Sequence, residues 1–460
     1  MPYVIAAVPS PEPFDLIIVG SGSGNAIPDF LDDWKIAVVE RGVFGGTCLN
    51  RGCIPSKMFV LPADLAVEAA DASRLGVHTE FHRADWGSIR DRVFGRIDPI
   101  AAGGRQYRAN GTPNVTLVEG TARFVGDKVL DVDGRVITAP RILLAAGARP
   151  HVPAIPGLDG VHFHTSDTIM RLDARPSRLG IIGGGFIAAE MGHVFSAFGT
   201  DVTLFARSSP MLRGFDAEVA HRFTHEFGRR VDLRLGELPH AVEQGPDGIV
   251  LDAPSGRVVV DELLVATGRV PNTDLLDPAA GGLDVTDADT VAVDDTMATN
   301  VEGVWAIGDL ANPFQLKHLA NAEAKVAFWN MAHPDDLRRQ RYDTVPSAVF
   351  SHPQVATVGL TEETARQRGI DVAVGRRDYG GTAYGWALVD ETSFAKVLVD
   401  RADGTIVGAH VMGPQAASLI QPIIQAMTFG QTAEEIAEEV FYIHPALTEV
   451  VENALLDAIA

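Results

Sequence analysis

Cysteine is almost missing from this sequence: two residues in 460, Cys48 and Cys53, both inside one short motif. A secreted scaffold held by disulfides needs more cysteines at wider spacing, so that class is excluded and a cytoplasmic redox pair is expected instead. Apolar runs long enough to cross a bilayer are missing too. Met1 to Pro13 is apolar and proline-rich but has neither a basic start nor a small-residue cleavage site. It reads as a loose N-terminal extension rather than a signal peptide. Clusters of basic residues are absent from a chain of net charge −22, which argues against a nucleic-acid partner. The acidity reads as a device for solubility. Low-complexity stretches and long charge blocks do not occur.

What the chain does have is apolar mass and glycine: 46% hydrophobic residues and 46 glycines. The length suggests about three domains. Two segments share one plan of apolar strand, glycine-rich turn, helix and second strand. In the first, Asp15 to Val19 leads into Gly20-Ser21-Gly22-Ser23-Gly24-Asn25. In the second, Leu179 to Ile182 leads into Gly183-Gly184-Gly185-Phe186-Ile187-Ala188-Ala189-Glu190. Glycines in such turns let backbone approach a pyrophosphate that faces a helix N-terminus. One such turn is weak evidence and two are strong. The first departs from the pattern, with Asn25 in the third glycine position and Gly24 extra, so looser helix–strand packing is expected there. The second uses Ala188.

The residue closing each second strand differs. Glu40 follows Ile36 to Val39, where a carboxylate meets bare ribose hydroxyls; a solvated strand-end acid is the plainer alternative. Arg207 follows Val202 to Ala206, with Arg213 soon after. Losing the acid and gaining two guanidiniums suits a 2′-phosphate and favours NADPH, unless both are incidental surface arginines.

The stretches Leu143 to Pro150 and Leu264 to Arg269, with Gly147 and Gly268, read as paired strand exits flanking the second nucleotide domain. Gly303 to Asp309 reads as a buried strand ending in Gly-Asp. Beyond about Thr344, strands over Ala348 to Gly359, Ala395 to Val399 and Ile406 to Val411 precede helices over Ala416 to Phe429 and Ala433 to Val440. The fold class expected is α/β, with two Rossmann-like dinucleotide-binding domains and a C-terminal α+β domain.

The chemistry centres on Gly45-Gly46-Thr47-Cys48-Leu49-Asn50-Arg51-Gly52-Cys53-Ile54-Pro55-Ser56-Lys57. Cysteines five apart on a regular helix are separated by about 7.5 Å along its axis, beyond disulfide reach. Bridging them requires a distorted turn, which Gly52 and Pro55 allow, and a strained bridge is easily reduced. A metal site or two inert thiols are the alternatives. Four ligands are not available locally, and no metal is expected.

This motif, placed after a first dinucleotide turn, resembles the pyridine nucleotide–disulfide oxidoreductases, and the resemblance runs from Phe14 to the C-terminal helix. It implies FAD and NADPH as cofactors, a homodimer, and a small-molecule disulfide as substrate. The implied domains are FAD-binding over 1–149, NADPH-binding over 150–269, a return to FAD over 270–343 and dimerisation over 344–460. Carried over by motif, Cys48 resembles the interchange thiol and Cys53 the thiol beside the flavin. Lys57 resembles the lysine near flavin N5, Glu190 its carboxylate partner, Phe186 an aromatic gate and Asp309 the acid that holds the ribityl chain. Thr47, Gly147 and Gly268 complete the cofactor-contacting set with Gly20, Gly22, Gly24, Glu40, Gly183, Gly185, Arg207 and Arg213.

Near the C-terminus, His444-Pro445-Ala446-Leu447-Thr448-Glu449 supplies the general acid/base such chemistry needs, an imidazole oriented by a carboxylate. Pro445 suits a first helical position, and the resemblance implies that this histidine serves the other subunit's site. His352-Pro353, in a strand-like segment, reads as structural.

The substrate is narrowed by what is missing from the family's other branches. Lipoamide-type members keep an acid at the Arg207 step, and mercury-reducing ones carry a further C-terminal cysteine pair. Glutathione-reducing ones place arginines where this chain has Pro28-Asp29-Phe30-Leu31-Asp32-Asp33. A less anionic, sugar-bearing disulfide fits that acidic, apolar surface better, and the turn Gly20 to Asn25, with Phe44 to Asn50 and Lys57-Met58-Phe59-Val60, resembles the branch of the family that reduces mycothione. Glutathione disulfide, lipoamide, and a non-turnover redox sensor remain open.

Overall fold

The computed structural model describes residues 11–460; the N-terminal extension expected over Met1 to Pro13 falls mostly outside them. The chain forms two compact units. One gathers the chain up to Pro55 with Asp91–Pro150 and Arg269–Arg341, and the other gathers Ser56–Arg90, His151–Gly268 and Tyr342–Ala460.

In the first unit, β-branched and leucine-rich runs bury both faces of a parallel sheet, as such sheets require. Its strand order is Val304–Ala306, Arg141–Leu144, Leu16–Val19, Ile36–Glu40, Val115–Glu119. Ile17, Ala37, Ile142 and Leu144 are fully buried in its core. Where the chain leaves and re-enters this unit, Ala148–Pro150 pairs antiparallel with Arg269–Pro271, as expected of paired strand exits.

The second unit holds another parallel sheet, ordered Asp232–Leu235, Asp201–Ala206, Arg178–Ile182, Glu262–Val265. A three-stranded antiparallel meander follows over residues 241–260. Its C-terminal part is a five-stranded antiparallel sheet carrying the helix Thr448–Ile459. Gly375 permits that packing, because a Cβ there would lie 1.9 Å from the Ala454 carbonyl oxygen. No helix of the described residues is long and apolar enough to cross a membrane.

Three local expectations are corrected. The first glycine turn does not enter an α-helix; only two short 3-10 turns, Ser23–Asn25 and Asp29–Leu31, precede the next strand. Pro28 is the reason, since its ring would strike the carbonyl four residues back and it offers no N–H. The helix expected over Ala416 to Phe429 breaks into Ala416–Leu419 and Gln421–Phe429, with Pro422 in the first turn of the latter. The helix expected over Ala433 to Val440 is present over 433–439, but Glu435–Glu439 takes the π rather than the α form.

Candidate active site

The cysteine motif is built on a broken helix. Gly46–Asn50 forms a single turn, Arg51 leaves it at φ −154°, and a new helix begins at Cys53 and runs to Asp71. Gly52 makes the break possible, because a Cβ there would lie 3.0 Å from the Thr47 carbonyl oxygen and 3.3 Å from Cys48 Cα. Asn50 locks the turn from beneath, its buried side-chain NH2 donating to the carbonyls of Phe44 and Gly46 at 2.9 Å each. Its Oδ1 is a buried acceptor without a protein donor. The distortion expected between the cysteines is thus present.

Cys48, half-buried, and Cys53, exposed, stand at the two sides of this break. The neighbouring Cys53 thiol, then burial, pushes the Cys48 thiol far above the ordinary range. Two thiols this close do not both ionise. One cation opposes this. Lys317, at the start of the helix Lys317–Ala332, is half-buried and feels both sulfurs. Burial lowers the Lys317 ammonium and the thiols raise it. Its Nζ donates to Ser23 Oγ at 2.9 Å, and Ser23 Oγ donates to Asn321 Oδ1 at 3.0 Å. Sequence reasoning missed Lys317, since nearly 270 positions separate it from the cysteines and no local spacing marks it.

The first glycine turn lies against this motif, with a Cβ on Gly46 only 2.8 Å from Gly22 Cα. Glu40 ties the turn down, accepting from Ser21 N at 3.0 Å, Ser21 Oγ at 2.6 Å and Gly42 N at 2.8 Å. Gly45 N donates in turn to Ser21 Oγ at 2.8 Å, linking acid, turn and cysteine motif. The looser packing expected here is contradicted. Gly24 fills the close-packing role, since a Cβ on it would lie 2.9 Å from both Ala145 Cβ and Ile18 Cγ2. Asn25 is instead held by Arg108, whose Nε donates to its Oδ1 at 2.8 Å. Asp309 is the middle residue of the short turn Gly308–Leu310 after Val304–Ala306, its carboxylate 3.7 Å from Arg269 Nε. Burial raises its carboxyl, and the guanidinium offsets part of the shift. Glu323, fully buried and unanticipated, accepts from Gly308 N at 2.7 Å and steadies that turn.

In the second unit the expected ion pair is present. Lys57 Nζ reaches both carboxylate oxygens of buried Glu190, at 2.5 and 2.7 Å. Phe350 N donates to the same carboxylate at 3.1 Å. Removing Lys57 would leave the buried Glu190 carboxylate without its cation. Lys57 stands four residues after Cys53 on one helix, hence on the same face. Gly183 opens the second turn and Gly185 precedes the helix Phe186–Ala197, whose first residue, Phe186, is exposed. Arg207 and Arg213 are exposed and make no hydrogen bond or ion pair among the described residues.

His444 Nδ1 lies 2.7 Å from Glu449 Oε1, and Ala446 N donates to the other carboxylate oxygen at 3.2 Å. The hydrogen bond from His444 holds the Glu449 carboxyl below its ordinary value. Nε2 of the exposed imidazole is left unbonded. The helix begins at Thr448, not at Pro445: the His444–Pro445 peptide is cis, and Leu447 caps the helix. His352 lies in a loop between strands rather than in one, its ring 6.2 Å from that of His193. Burial, aided by Arg230, pushes its pKa down to about 4.

A Cβ on Gly185 of the second turn, or on Gly147 or Gly268 of the strand exits, would meet no protein atom within 4 Å, so backbone there is open to close approach. The carboxylate after the first turn suits ribose hydroxyls, and the unpaired guanidiniums after the second suit a phosphate.

Comparison with known proteins agrees with this chemistry. Residues 14–333 match the family described as pyridine nucleotide-disulphide oxidoreductase, and residues 345–455 match that family's dimerisation domain. Mycothione reductase of Mycobacterium tuberculosis is 46% identical over 459 residues, covering 97% of this chain and 99% of its own. Glutathione reductase of Burkholderia cepacia is 33% identical, covering 95% and 97%. Among solved structures, the HOCl-induced flavoprotein disulfide reductase RclA from Escherichia coli superposes with a TM-score of 0.84. It is 25% identical, covering 96% of this chain and 99% of its own.

Proposed function

The chain belongs to the pyridine nucleotide-disulphide oxidoreductases, and within that family we propose that it reduces mycothione with electrons from NADPH. The observation that carries this reading is the Cys48–Cys53 pair on its broken helix, in a chain 46% identical to a mycothione reductase over nearly its whole length. When bound, FAD supplies a two-electron relay between the nicotinamide hydride and the cysteine pair. We assign FAD to residues 1–149 and 270–343, NADPH to 150–269 and the dimer contact to 344–460. Arg207 and Arg213 serve the 2′-phosphate, while Glu40 and Asp309 serve FAD hydroxyls. Gly20, Gly22, Gly24, Thr47, Gly147, Gly183, Gly185 and Gly268 line the two dinucleotides, and Phe186 is an aromatic gate over the isoalloxazine ring.

The Cys48 sulfur attacks one sulfur of mycothione, breaking the substrate disulfide, forming a mixed disulfide and expelling a thiolate. Cys48 first gives up its proton to the partner subunit's His444, which returns it to the departing thiolate. Lys317 lowers the cost of the Cys48 anion. Cys53 then attacks the Cys48 sulfur, releases the second thiol and restores the Cys48–Cys53 disulfide. Each turnover consumes one NADPH, one proton and one disulfide and yields two thiols. Lys57 and Glu190 position the flavin's reacting edge. A second copy as partner is supported by the exposed apolar side chains Phe429, Phe441 and Ile443, just before His444. The location we assign is the cytoplasm, since both cysteines work as a reducible pair.

Initial rates of NADPH oxidation, with mycothione, glutathione disulfide and lipoamide at equal concentration, test this reading. A preference for mycothione of at least about a hundredfold in kcat/KM is expected, because polar groups of a matched site go unpaired with the wrong ligand. Preference for either competitor overturns the substrate and keeps the chemistry. Reduction of the flavin by NADPH without turnover of any disulfide overturns the enzyme in favour of a sensor.

A further inference from the structure

One cluster of ligating side chains takes no part in the disulfide chemistry. Residues 162–164 extend the edge of the second parallel sheet. His164 N donates to the Leu263 carbonyl at 2.7 Å, and Val265 N donates to the His164 carbonyl at 2.8 Å. Side chains two apart on an extended segment share a face. Phe163 therefore packs toward the apolar core, while His162 and His164 turn the other way with ring centroids 4.7 Å apart. Glu262, at the start of the adjacent strand, brings its Oε2 to 3.1 Å from His164 Nε2. One ligand atom from each of the three residues lies within 4.8 Å of the others.

We propose that His162, His164 and Glu262 form a binding site for a divalent transition metal of the zinc class. Two imidazoles and one carboxylate select zinc-like ions over calcium or magnesium, which prefer all-oxygen shells. Three protein ligands leave a fourth position for water or a small ligand. Zinc–ligand bonds of ~2.0–2.1 Å at tetrahedral angles place donors about 3.3 Å apart, close to the separation of His164 Nε2 and Glu262 Oε2. His162 is exposed and makes no hydrogen bond, so its ring is at liberty to turn inward. Metal on Nε2 of His164 requires the proton on Nδ1, and Thr168 Oγ1 stands 3.0 Å away to accept it. That is the outer-shell support metal-bound imidazoles ordinarily have. A bound ion would pin the edge segment to the sheet. The short His-x-His spacing carries no signal by itself; the carboxylate nearly 100 positions away completes the site.

The test uses FAD-loaded enzyme, stripped with chelator, with Cys48–Cys53 oxidised so that the thiols cannot capture the ion. Zinc is titrated against a chromophoric chelator, and thermal unfolding is followed with and without zinc. The expected result is one zinc per chain at this site, with affinity falling at least about tenfold in His162→Ala and in Glu262→Gln. Zinc should raise the unfolding temperature of the unaltered enzyme but not of His162→Ala. His162→Ala removes an exposed side chain, so flavin content and metal-free NADPH-driven turnover should stay unchanged. Equal zinc affinity in His162→Ala and the unaltered enzyme overturns the proposal, as does the absence of saturable binding. His164 and Glu262 would then be a hydrogen-bonded pair alone.

Discussion

The two glycine turns do the same job with different surroundings. In each, the first glycine has a positive φ, +110° at Gly20 and +142° at Gly183. A Cβ there would lie 2.3 Å from the Ala145 carbonyl oxygen in one and 2.1 Å from that of Ala266 in the other. Both opposing carbonyls belong to the strand exits noted in the sequence, so exit and turn form one unit. Beyond that point they diverge. The second turn feeds a 12-residue helix, whose N-terminus can face a phosphate. The first turn feeds no α-helix and leans instead on Gly46 of the cysteine motif and on the Glu40 carboxylate. A dinucleotide turn can therefore be held either by a helix or by contacts from other loops.

The largest expected effect probes what the turns share. Gly20→Val and Gly183→Val should each cost ~3 kcal/mol or more locally, because backbone must move to admit the side chain. Flavin absorbance per chain separates them: Gly20→Val should lose FAD, whereas Gly183→Val should keep FAD and lose its reduction by NADPH. Loss of FAD in both would mean that the turns are not independent.

Next in size is the contrast between Glu40 and Arg207. Removing both guanidiniums in Arg207→Ala with Arg213→Ala should raise KM for NADPH by roughly a hundredfold, at about 1.5–3 kcal/mol per charge-assisted bond. KM for NADH should not rise. A parallel rise for NADH would remove the 2′-phosphate from the account.

A smaller effect tests the third position. Gly24→Ala should destabilise by about 1–3 kcal/mol through overpacking against Ala145 and Ile18, read as a lower thermal midpoint of the holoenzyme. An unchanged midpoint would restore the looser packing first expected. The smallest stability effect belongs to Gly185→Ala. Its Cβ meets nothing in the protein, so stability should stay within about 0.5 kcal/mol, while KM for NADPH rises if phosphate approaches that backbone. No change in KM would place the phosphate elsewhere.

Much of the site was legible because its residues obey short-range rules. Cys48, Gly52 and Cys53 announce a distorted turn by spacing alone, and His444 with Glu449 is a local pair. Lys57 with Glu190 was reached through resemblance, since 133 positions separate them. Pro28 is the local signal for the missing helix after Gly24, and the strand–turn–helix pattern does not carry it.

The sequence by itself determined what local chemistry controls: two glycine turns after buried strands, an acid after one and arginines after the other, and a distorted turn between two cysteines. Tertiary structure alone decided which distant groups meet. It set Lys317 beside the thiols through Ser23, buried Glu323 beneath the Gly308 turn, and brought Glu262 to His164 across a sheet edge. The physical reason is that strand order, not sequence order, sets these distances, and no single segment carries information about its neighbour in the sheet.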